Sequence, residues 1–177
     1  MTKPLASLLL CGCAGTHPSV TAPAEPGLPT PHELVIDAHA PDVDRTMLAA
    51  LRLYAFWDSG DTKFLDQALA PTFTDRTLPP GRPQGPSGPA FASKNFRAAV
   101  PDLRCDVEQL LVANDRAVAH LRFRGHFTGT FAGKSGSGAP VDFIATDILR
   151  ITDGRVSDNW HIEDNLTFLQ EIGVVAP

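Results

Sequence analysis

The sequence predicts an α+β domain with N-terminal helices packed on one face of a curved antiparallel sheet. Three observations carry that expectation. Apolar residues recur at helical spacing between about residues 44 and 100, and from Leu103 onward they recur at every second position. Proline and glycine clusters separate the helical stretches, while Asn114-Asp115 and the Thr152–Arg155 stretch mark hairpins.

Three segments follow in order. Residues 1–13 read as a lipoprotein-type export signal. Lys3 supplies positive charge, Pro4 to Leu10 form a short apolar run, and Leu10-Cys11-Gly12-Cys13 resembles a bacterial lipobox. The expectation is a lipid anchor at Cys13 and a place in the cell envelope; without a functional signal the chain stays cytoplasmic. Residues 14–42 carry Pro18, Pro23, Pro26, Pro29, Pro31 and Pro41 and are expected to be a linker. Residues 43–177 are the folded domain.

Within it, Met47, Leu48, Leu51 and Ala55 mark a first helix that Gly60 stops. A second helix spans 61–70, broken by Pro71, and 77–88 is a loop by composition. Pro89 opens a third helix through Val100, in the first-turn position that proline suits. Strands are expected at 103–113, 116–127, 141–151 and 156–162 as an antiparallel meander, followed by a final helix ending at Gly173. On the second strand Ala117, Ala119, Leu121 and Phe123 share one face, and His120, Arg122 and Arg124 the other. The glycine-rich segment 128–140 resembles a phosphate-binding loop only superficially. It joins two antiparallel strands, where such a loop needs a strand before it and a helix after it.

Composition narrows the function classes. The 177 residues are 43% hydrophobic and 20% charged with a net charge of −5, an ordinary globular profile without the clustered basic residues of a nucleic-acid binder. Cys105 stands apart from Cys11 and Cys13, so no disulfide or thiolate metal framework is expected. His120 and His126 share a strand face but lie roughly 20 Å apart at strand rise, so no metal site and no cofactor are expected.

The chemistry-bearing residues gather near residues 158–173. A two-residue turn at Asp153-Gly154 would place Asp147 opposite Trp160 and send His161 to the other face. A three-residue loop would pair Asp147 with Asn159 and Ala145 with His161. That register makes Asp147 and His161 diagonal neighbours on one face with Asn159, Phe143 and Leu149. Periodicity alone leaves both registers open.

Residues 44–175 resemble the SnoaL-like polyketide cyclases of the nuclear transport factor 2-like superfamily. The resemblance rests on "LYAFWDSGDTKFLDQALAPTFTD", "GPSGPAFASKNFRAAVPDLRCDVEQLLVANDRAVAHLRFRGHFTG" and "DILRITDGRVSDNWHIEDNLTFLQEIG". It implies a cone of helices wrapped by a curved sheet around an internal cavity, and homodimers formed through the outer sheet face. It also implies metal-free acid/base ring closure on a polyketide ester. The family's catalytic aspartate falls at His161 and its histidine at Asp147, so the two residue types are exchanged here.

The expected site therefore pairs His161 as base with Asp147 as its orienting partner. Asn159 and Tyr54 are candidate hydrogen-bond donors, and Trp57, Phe73, Phe96 and Phe143 candidate walls for a small hydrophobic molecule. Asp164 suits a helix N-cap as well as a pocket acid. Besides an enzyme acting on a small carbonyl compound, the same features fit a non-catalytic binding lipoprotein or a dimerisation module.

Overall fold

A computed structural model describes residues 25–37 and 41–176. The expected signal and its Cys13 lie outside the described residues. No described helix is long and apolar enough to cross a membrane.

The chain runs β1 (Glu33–Ile36), α1 (Val43–Ser59), α2 (Thr62–Ala68), β2 (Leu69–Asp75), α3 (Ser87–Ala99), β3 (Arg104–Ala113) and β4 (Arg116–Phe127). It continues through β5 (Thr130–Phe131), β6 (Lys134–Ser135), β7 (Ala139–Thr152), β8 (Arg155–Glu163) and α4 (Asn165–Glu171). The α+β class and all four helices agree with expectation. The sheet is larger than expected, with six strands in the order β1-β3-β4-β7-β8-β2.

Both additional strands are edges, and both run parallel to their neighbour. Residues 33–36 belong to the segment expected to be linker. They lie in a proline-free stretch with backbone donors available, and His32 and Asp37 extend the pairing by donating to the carbonyls of Val107 and Val112, each at 2.9 Å. The second helix ends at Ala68, short of Pro71: Leu69 and Ala70, expected to be helical, already belong to β2, and the proline sits inside that strand. Pro71 is exposed on an edge strand, where its missing N–H costs little.

Helix α1 lies across the concave face, packing on β3, β4, β7 and β8. Its buried stripe includes Met47, Leu51, Tyr54 and Phe56. The split of β4 holds: Ala117, Ala119, Leu121 and Phe123 are buried, while Arg122 and Arg124 sit outside in ion pairs with Asp142 and Asp106. Phe143 stacks on Phe123 and Phe96 with centroids 5.1 and 5.7 Å apart.

The β7–β8 hairpin follows neither expected register. Asp153 and Gly154 both have positive φ, 52° and 72°, and form a two-residue turn that pairs Thr152 with Arg155. A bulge then places Ser157 as an extra residue between the Ile151–Val156 and Arg150–Asp158 pairs. Every later residue of β8 moves by one position, so Asp147 stands directly opposite His161. The division of faces is that of the longer-loop reading, but its cause is the bulge. Trp160 and Ile162 accordingly point outward with Ile144 and Ile148, and Arg116 and Arg150 lie over the Trp160 ring at 5.9 and 5.5 Å.

Candidate functional site

The bulged end of β8 presents Asn159 and His161 to the concave side, and Glu163 lies beyond them. The last residue of β2, Asp75, pairs with Asn159 and reaches His161 from the sheet edge. His161 Nε2 lies 3.0 Å from Asp75 Oδ2, with both side chains 7% exposed. An ionised carboxylate only accepts, so this contact places the proton on Nε2 and leaves Nδ1 as the basic nitrogen. Nδ1 faces Glu163 Oε1 at 3.6 Å.

The loop after β2 fastens the pair. Thr77 Oγ1 accepts from the His161 amide at 2.8 Å, and the Thr77 amide donates to Asp75 Oδ1 at 3.0 Å. Gln84 spans the loop, accepting from the Asp75 amide at 2.8 Å and donating to the Asp75 carbonyl at 2.9 Å. Between these anchors Arg82 turns inward. Its Nη2 donates to both Glu163 oxygens at 3.1 and 3.3 Å, and its Nη1 lies 3.4 Å from His161 Nε2.

Deeper in the pocket, Asp147 is 4% exposed and accepts from Asn159 Nδ2 at 3.2 Å. Burial pushes its carboxyl up to about 6, against the opposing pull of Asn159 and then of His161. Asp147 thus faces His161 across the ladder, while the hydrogen bond to the ring comes from Asp75. The Asn159 side-chain oxygen Oδ1 is buried and unpartnered, so Asn159 offers the pocket an acceptor rather than the expected donor. Tyr54 Oη is buried without a partner of normal geometry; burial, then the Asp147 charge, raises its pKa well above the tyrosine range.

Leu53, Trp57, Phe73, Leu121 and Phe123 supply the apolar lining around these groups. The free volume is about 30 Å³, room for a water or two with the side chains as they stand. Among the described residues no group of three or more metal-ligating side chains is present.

The model of the SnoaL-like polyketide cyclases matches residues 47–172. The chain belongs to this family. A candidate polyketide cyclase from Bacillus cereus is 38% identical over 88% of this chain and all of its own, with a TM-score of 0.79. IdmH of Streptomyces antibioticus, another candidate polyketide cyclase, is 26% identical over 71% of this chain and 96% of its own, with a TM-score of 0.63. A SnoaL-like structure from Jannaschia sp. shares the fold at 22% identity, over 78% of this chain and 97% of its own, with a TM-score of 0.66. No curated protein matches the chain. The helices on a curved sheet are those of the nuclear transport factor 2-like fold.

Against this family frame, the structure gathers His161, Asp147, Asn159, Trp57 and Phe73 at one pocket. Four other candidates lie elsewhere: Tyr54 is fully buried in the core behind Asp147. Phe143 belongs to the aromatic core stack, and Phe96 lines a separate outer groove. Asp164 caps α4, accepting from the Thr167 amide at 3.1 Å and hydroxyl at 2.7 Å. A carboxylate engaged at a helix N-terminus is a cap and not a pocket acid. Sequence reasoning missed Asp75, Arg82 and Glu163. The alternating burial of Phe73 and Asp75 in β2 was the available signal for the first; Arg82, inside a proline-glycine loop, carried none.

Proposed function

We propose that this protein catalyses proton transfer next to a carbonyl, of the kind that starts an aldol-type ring closure, on a small hydrophobic molecule. The observation carrying this reading is His161 held by Asp75 at the wall of a narrow pocket where Leu53, Trp57, Phe73, Leu121 and Phe123 surround the charged groups. Nδ1 takes the α-proton, and the enolate attacks a second carbonyl carbon of the same molecule. The resulting alkoxide recovers a proton from the imidazolium. Asp75 and Glu163 stabilise the imidazolium, and Arg82 supplies positive charge beside the developing oxyanion. No cofactor is needed for these steps.

The test uses 2-acetonaphthone in D2O and follows loss of the acetyl-methyl proton signal. Wild type is expected to exchange about 10²-fold or more faster than His161→Gln. Equal rates in the two proteins overturn the reading.

The narrow inner pocket favours a second reading, a ligand-binding protein without turnover, in which the molecule stays outside His161. We propose further that the outward face bearing Ile144, Ile148 and Ile162, the last 76% exposed, forms a homodimer. Tethering to the cell envelope through Cys13 completes the proposal, supported by the short apolar run that precedes it.

A further inference from the structure

Arg82 belongs to two spaces at once. On one side it closes the pocket around His161, and its side chain is only 11% exposed. On the other it forms part of an open groove of about 350 Å³ between the turn at residues 79–82, α3 and β5. Pro79, Pro80, Phe91, Ala92, Phe96 and Phe131 supply the apolar walls, and Phe91 is 43% exposed. Arg82 is the one charged lining residue among those described, with Asn95 as its polar neighbour. An apolar concavity of this size with few polar groups has the form of a small-molecule site.

The charges discriminate between ligands. A guanidinium carries five N–H donors in a planar fork. Within the pocket Nη2 donates to Glu163, and Nη1 faces Asp75 Oδ2 at 3.9 Å. One edge can therefore stay on Glu163 while another meets a second carboxylate. An anion that moved past Arg82 would face Asp75, Asp147 and Glu163 together, so a carboxylate stops at the guanidinium. The inner pocket is also too small to take an aromatic or aliphatic body.

Resting on the reading above for its chemistry, we propose that the groove binds the apolar body of a carboxylic acid whose carboxylate docks on Arg82. This docking holds the adjoining carbons at the threshold of the His161 pocket. It extends the substrate class to an apolar carbonyl compound that also carries a carboxylate.

Calorimetric and amide-shift titrations with 2-naphthoate and its neutral counterpart 2-acetonaphthone test the proposal. Naphthoate is expected to shift residues 79–82, Phe91 and Phe131 saturably, and to bind about tenfold or more tighter than the ketone. Arg82→Gln removes that preference. Asn95→Trp, at an exposed position on α3 that folding tolerates, fills the groove and weakens both ligands. His161→Gln leaves naphthoate binding in place, which separates failure here from failure of the proton-transfer reading. Absence of binding, equal affinity for the two probes, a preference that survives Arg82→Gln, or unchanged binding in Asn95→Trp overturns the proposal.

Discussion

Replacing Asp147 with Asn should make the protein more stable at pH 8 and change it little near pH 4. The carboxyl is 4% exposed, and burial raises its pKa from 3.8 to about 6. A folded-state pKa above the unfolded value favours the native state fully below pH 3.8, and that contribution is lost as pH rises through about 6. At 1.36 kcal/mol per pH unit, ionising Asp147 in place costs about 3 kcal/mol once the pH is well above 6. Asparagine is isosteric and still accepts from Asn159 Nδ2, so the hydrogen bond survives while the buried charge goes. Urea unfolding of both proteins at pH 4.5 and 8 reads the effect. Wild type should lose stability across that interval relative to Asp147→Asn, which gains up to about 3 kcal/mol at pH 8. An equal pH dependence in the two proteins refutes the argument that burial dominates at this site.

Other perturbations address the fold and its faces. Deleting Ser157 closes the bulge but keeps Arg150 opposite Asp158 and Asp147 opposite His161, so circular dichroism melts should show a folded protein, destabilised by loss of the Ser157 hydroxyl bonds to Thr152 and Asp158. Gly129→Ala would place a Cβ 1.9 Å from the Ala98 carbonyl oxygen, so a loss of about 1–3 kcal/mol or more is expected by urea unfolding. Ile148→Lys puts a charge on the outward apolar face and should shift sedimentation from dimer to monomer without lowering the melting temperature.

Much of the architecture was legible because it rests on local pattern. Met47, Leu51 and Ala55 recur at helical spacing, and Ala117 to Phe123 alternate, so both elements follow from period alone. The hairpin register was not legible. Asp153-Gly154 has the composition of a two-residue turn and forms one, but Ser157, which bulges, carries no residue signature that distinguishes it from its neighbours. His161 itself could be singled out, whereas its hydrogen-bond partner lies 86 positions earlier on a parallel edge strand. Such pairing depends on which strand closes the sheet, and periodicity does not report that. Arg82 depends on a loop whose path is set by Thr77 and Gln84 bonding to backbone, contacts that have no period at all.

Asp75 holds His161 with its proton on Nε2, and Nδ1, facing Glu163, is left as the base. Nitrogen-15 correlation spectra of the His161 ring at pH 8, with Asp75→Asn as the control, test it most directly. The wild type should show a protonated Nε2 and an unprotonated Nδ1, with that single-tautomer preference lost in Asp75→Asn. A ring protonated on Nδ1, or spectra that the substitution leaves unchanged, would contradict it.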